Sequence, residues 1–309
     1  MHAHTSIELT HEPAPADAAE ALIRAMTHRR FRAEYADDDR AVEAARAWAQ
    51  RVLPRARLMQ VRATSSGERC GEVWVIDEGE DLTLLSLSLD DHAVAPDLRE
   101  LLLDLAGAEG RRRLMLGVAP GDPALEAFVV GREFESVAFQ MRLDLDHTLA
   151  GEDTVELVPM DAATYDSYQA RGAAEYAEAR EKAGETREQA EAAARSQLAA
   201  LLPAGQSTLD HHFFSGVVRG ERVGTLWLGT ERPMAFVYDV VVDEAQRRRG
   251  HGAGLMRAAA LWSRDRGAHA LGLNVFGYNH AAKDLYDRLG FHVVERFVAH
   301  TLTTSEPDA

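Results

Sequence analysis

Three consecutive arginines, Arg247, Arg248 and Arg249, run into Gly250-His251-Gly252, and an apolar helical pattern begins at once behind them. The β-branched run Val240-Val241-Val242 comes just before. A strand, a glycine turn and a helix in that order make an anion site. Glycines let the backbone approach a ligand with no Cβ in the way. The opening turn of a helix offers unpaired N–H groups and the positive end of its dipole, and guanidinium groups suit phosphate. The expected ligand is a pyrophosphate. It is not held as in a Walker loop, because no Lys-Ser or Lys-Thr follows the glycines. Nor is the dinucleotide fingerprint met, since Leu255 stands where the third glycine belongs.

A second group of reactive residues lies further along. Asn279, Ala282, Leu285, Tyr286, Gly290 and Phe291 follow a strand-like stretch, Leu271 to Phe276. The Arg247 turn resembles the acyl-CoA loop of the GNAT N-acetyltransferase superfamily, [RQ]-x-x-G-x-[GA]. The later segment resembles that superfamily's second signature, N-x-x-A-x-x-L-Y-x-x-x-G-F, at every specified position. The likeness runs from about Val155 to Thr301.

This resemblance implies acetyl transfer from acetyl-CoA to an amine. It assigns backbone N–H groups of Val240 and Val242 to the thioester, where such donors stabilise an oxyanion. It assigns the pyrophosphate to the turn Arg248–Gly254, including the amides of Ala253 and Gly254, with Arg247 beside it. Tyr286 takes the position of the general acid that protonates the leaving thiolate. Asn279 either contacts the pantetheine arm or caps its helix. The base that frees the amine stays open among Tyr238 acting through water, Asp239, Glu175 and His212. Similar proteins place a carboxylate or histidine where Tyr238 stands. Strand alternation puts Phe236, Tyr238 and Val240 on one face and Asp239 on the other.

The elements that must position these residues occur twice. Ser66–Val75 matches Arg219–Leu228, and Leu114, Leu116 and Val118 match Leu271, Leu273 and Val275 with a short insertion in between. The expected architecture is therefore mixed α/β: two tandem GNAT folds, residues 1–146 and 147–309, each a mostly antiparallel sheet flanked by helices. The first copy is worn. Ala93 and Ala95 stand where Gly250 and Gly252 stand in the second, His92 faces Arg249, Asp122 faces Asn279 and Val129 faces Tyr286. It reads as a structural partner, and the layout is similar to that of mycothiol synthase, which implies a specialised amine as an alternative acceptor. A non-catalytic acyl-CoA module is the other alternative, and Tyr286 argues against it.

Composition narrows the function classes. The chain has 309 residues with a net charge of −16, which disfavours nucleic acid as a partner. A single cysteine, Cys70, excludes a disulfide framework or cysteine-based metal cluster, and the histidines lack metal-ligand spacing. No metal is expected. With no long apolar run and no leader-like segment, the expected setting is the cytoplasm, away from membranes. The expected partner is a small amine acceptor, and the chain is expected to be a monomer or homodimer.

Overall fold

The computed structural model describes residues 6–11, 17–146, 155–182 and 186–302. The stretch expected to part the two copies, around Asp146 to Asp153, lies outside the described residues beyond Asp146, and so does Gly184. Within them, the first half of the chain opens with β1 (Ile7–Thr10) and α1 (Ala18–Met26), which runs on into a wide π turn at Thr27–Phe31. Next comes α2 (Asp38–Val52), a helix for which the sequence analysis has no counterpart. Its signals are plain in retrospect: Asp37 caps it by accepting from the Arg40 amide at 3.0 Å, and Ala41, Ala45 and Ala49 form a buried stripe at i, i+4 spacing. A meander follows, β2 (Ala56–Ala63), β3 (Arg69–Glu78) and β4 (Asp81–Leu89), then α3 (Ala95–Ala108), β5 (Arg113–Val118), α4 (Pro123–Val129) and β6 (Glu135–Asp144).

The second half repeats the plan. It has β7 (Glu156–Pro159), the long helices α5 (Ala162–Lys182) and α6 (Arg187–Leu201), and the meander β8 (His211–Val218), β9 (Glu221–Gly229) and β10 (Ala235–Val242). Then come α7 (His251–Arg264), β11 (Ala270–Phe276), α8 (His280–Arg288) and β12 (His292–Thr301). Two successive α+β patterns of the same order bear out the mixed α/β class, with sheets that are mostly antiparallel.

The compact units divide the chain differently from the sequence copies. A composite unit joins residues 1–142 with 274–309, and an inner unit holds 143–273. In the inner unit the strands pair as β11-β10-β9-β8-β7, parallel only between β10 and β11. In the composite unit β1 to β4 pair antiparallel, and β5 runs parallel to β4. On one face α1 and α2 pack on Leu58 and Trp74. A larger core of Leu98, Leu102, Leu114, Leu116 and Phe128 gathers under α3 and α4.

β12 explains why the composite unit contains the chain's last segment. It lies antiparallel between β5 and β6, from Arg296↔Val118 to Thr301↔Arg113 on one side and from His292↔Arg142 to Ala299↔Glu135 on the other. A strand that belongs by sequence to the second copy thus closes the sheet of the first. Its seat is keyed. Glu295 is 2% exposed, its carboxylate lies 3.5 Å from the Arg29 guanidinium, and a Cβ at Gly117 would run into that carboxylate.

This seating predicts the behaviour of a truncated chain. Expressed alone, residues 147–309 lose β5 and β6, so both ladder edges of β12 and its buried Val298 are exposed, a template for aggregation. The fragment is expected to be insoluble or to lack a cooperative melt. A monodisperse fragment that melts like the full chain would contradict the account.

Candidate functional site

In the inner unit the strand before the glycine turn is not regular. β10 pairs with β9 as Val237↔Leu228 and then Asp239↔Trp227, so Tyr238 is the extra residue of a β-bulge. Its parallel register with β11 runs through Val237↔Leu273. Past the bulge the direction of each amide follows from the antiparallel ladder. Asp243 N–H donates to Val223 O at 3.0 Å, which fixes the Asp243 and Val241 amides toward β9 and turns those of Val240 and Val242 away from it. The two amides singled out from the sequence therefore share one edge.

The bulge changes one expectation. Strict alternation separates Tyr238 from Asp239, whereas the extra residue brings both onto the face covered by α5. Tyr238 stacks on Trp227 with centroids 4.7 Å apart. Asp239 accepts a hydrogen bond from the Tyr168 hydroxyl at 2.9 Å, and Tyr168 itself packs against Phe213. Tyr168 is not among the residues singled out from the sequence. Its partner lies 71 positions away, and no local spacing signals the pair.

The four candidate bases now sit in distinct environments. Burial raises the Asp239 carboxyl above the usual carboxylate range, opposed by the Tyr168 hydrogen bond, the nearby Arg171 and the Val240 amide. Tyr238 is raised by burial and by its hydrogen bond to Glu231, which keeps the phenol protonated. His212 is on the α7 side of the sheet, 4.7 Å from Trp262, and its pKa is lowered, first by burial and then by Arg266. Glu175 is exposed on α5, 3.8 Å from Arg171. Only Asp239 combines a raised carboxyl pKa with a place on the bulged strand.

The turn itself is an exposed, left-handed construction. Arg248 has φ +64° and Gly250 φ +85°, and Gly250 serves as N-cap of α7. The first bond of the helix runs from Gly254 N–H to Gly250 O at 3.1 Å, so the amides of His251, Gly252 and Ala253 precede the internal ladder. The Gly254 amide, expected among the ligand donors, is spent inside the helix. Arg247 bends back, its Nε donating to Val242 O at 3.3 Å, and Arg249 donates to Gln246 at 3.1 Å. These residues fit an anion such as a pyrophosphate.

Asn279 and Tyr286 belong to the composite unit. Asn279 caps α8, its side chain accepting from the Ala282 amide at 3.2 Å. Tyr286 is buried, with its ring 5.6 Å from Phe291. Among the described residues no group of three or more His, Cys, Asp or Glu could hold a metal ion, and no helix is long and apolar enough to cross a membrane.

A bulged strand, outward amides and a glycine-capped helix in a mixed α/β fold fit an acyltransferase. The family model "Acetyltransferase (GNAT) family" matches residues 173–291. An uncharacterized N-acetyltransferase of Bacillus subtilis (strain 168), YycN, is 33% identical over 144 residues, covering 45% of this chain and 92% of that protein. The chain belongs to the GNAT acetyltransferase family. Two solved structures share the fold along nearly the whole chain. A GCN5-related N-acetyltransferase from Sphaerobacter thermophilus has a TM-score of 0.56 at 18% identity, covering 96% of this chain and 95% of that one. A GNAT-family acetyltransferase from Colwellia psychrerythraea has 0.51 at 12% identity, covering 96% and 99%.

The Asp239 environment makes a prediction about stability. A carboxyl whose pKa is raised on folding favours the fold only while protonated, and it costs stability once pH rises through the folded value. Asp239→Asn keeps an acceptor for Tyr168 and removes that cost. The variant is expected to be more stable than the parent at pH 7. The difference should vanish as pH falls toward the ordinary carboxylate value of about 3.9. Urea denaturation at several pH values measures it, and a variant that is equally or less stable at pH 7 would contradict the assignment.

Proposed function

We propose that the chain transfers the acetyl group of acetyl-CoA to a primary amine, carried by a small molecule or an amino terminus, by direct attack. The observation that carries this reading is the pair of outward amides at Val240 and Val242, placed by the Tyr238 bulge just ahead of the glycine-capped helix. In the reaction, the amine nitrogen forms a bond to the thioester carbonyl carbon. The Val240 and Val242 amides take the developing oxyanion, and Val240 turns from the Asp239 carboxylate to do so.

Asp239 accepts the proton that the amine loses. Its raised pKa brings it nearer the operating pH than an ordinary carboxylate, which suits a general base. Collapse of the intermediate breaks the carbon–sulfur bond, and Tyr286 supplies the proton to the thiolate, the role its place in the L-Y-x-x-x-G-F pattern implies. The pyrophosphate of acetyl-CoA is assigned to Arg247, Arg248, Arg249 and the amides from Gly250 to Ala253.

Three substitutions separate binding from chemistry. Gly252→Val places a branched side chain at the turn and should abolish acetyl-CoA binding measured by calorimetry. Tyr286→Phe should bind acetyl-CoA normally and turn over about 10- to 1000-fold more slowly. Asp239→Asn should slow turnover similarly and remove the acidic limb of the pH–rate profile. Steady-state rates with a panel of amines read the last two. An unaltered affinity in the first, or unaltered turnover in the others, would overturn the corresponding role.

A further inference from the structure

The first copy repeats the bulge and the parted strands of the second. β4 pairs with β3 as Val75↔Leu84 and then Trp74↔Ser86, so Leu85 is the extra residue. β4 runs parallel to β5 only through Leu84↔Leu116, although both strands continue. Between them opens a cleft of about 700 Å³, walled by Ser86–Leu89 on one side and Ala119–Ala124 on the other. Asp90 N–H donates to Cys70 O at 2.9 Å, so the Ser86 and Ser88 backbone groups face β3, while the N–H and C=O of Leu87 and Leu89 face the cleft.

The rest of the cleft is unlike the acetyl-CoA turn. Where the second copy has free helical amides, the Asp91 carboxylate already accepts from the Ala93 amide at 2.9 Å. Asp122, which lines the cleft, accepts from Leu125 N–H at 3.1 Å, and Glu126 beside it accepts from Gly121 N–H at 2.9 Å, so carboxylates already take amides that an anion would need. The Arg29 guanidinium, which also lines the cleft, donates to Leu85 O at 2.8 Å beside this edge.

We propose that this cleft binds a short peptide, an extended amide chain without phosphate, as an added strand along β4. Alternating donors and acceptors at Leu87 and Leu89 match the backbone of an extended peptide, the mode in which main-chain bonds supply affinity. A volume of this size suits such a chain, and the Asp122 and Glu126 carboxylates exclude a pyrophosphate by repulsion. The copy that lost the phosphate turn kept the edge that reads amides.

The test uses the full chain, isotope-labelled, titrated with N-acetyl-trialanine amide and separately with acetyl-CoA. The peptide is expected to shift the Leu87 and Leu89 amide resonances, and acetyl-CoA to leave them in place. Leu87→Pro removes an N–H that faces the cleft and spares the β3 ladder, and it should weaken peptide binding about tenfold, the loss of one hydrogen bond. If that variant fails to fold, Ala119→Trp fills the cleft from the opposite wall and should abolish the peptide-induced shifts. No shift at Leu87 and Leu89, undiminished peptide affinity in either folded variant, or shifts there with acetyl-CoA would overturn the proposal. None of these readouts depends on transferase turnover.

Discussion

A β-bulge of one residue is the constraint on which the rest depends. An inserted residue locally increases strand twist and interrupts the regular ladder. In both copies it falls where the central antiparallel strand leaves its parallel neighbour, at Leu85 and at Tyr238. Without it the N–H groups of Val240 and Val242 would continue into a regular ladder, and no edge would be left for a substrate. The same insertion brings Tyr238 and Asp239 to one face, which is how Tyr168 from α5 reaches the Asp239 carboxylate.

The last strand imposes the second constraint. β12 completes the sheet of the first copy, so the residues that carry the second sequence signature lie in the composite unit together with the worn copy. The first copy therefore supplies both ladder partners of β12, even where its ligand turn has gone. Gly117, Glu295 and Arg29 illustrate the point. A buried carboxylate needs both a counter-charge and room, and a glycine on the neighbouring strand provides the room.

How much of this was legible in the sequence depends on the range of the interaction. The glycine turn, the Asn279 cap and the alternating strands are local patterns, and the structure places each where its residues imply. The repeat was legible because it compares the chain with itself. The bulge was not, since nothing in the residue types from Phe236 to Val242 marks Tyr238 as extra. The Asp37 cap and the alanine stripe of α2 were readable but sit in a charged stretch whose periodicity is faint. The Tyr168–Asp239 bond and the seating of β12 are long-range facts, set by the sheet order and not by any neighbouring residue.

The central claim is that acetyl-CoA is held by the bulged strand and glycine turn of the second copy alone. Amide hydrogen exchange of the full chain, with and without saturating acetyl-CoA, tests it most directly. The account predicts protection confined, among the two equivalent stretches, to residues 239–254, with residues 86–97 unchanged. Equal protection in both stretches, or protection in the first alone, would contradict it.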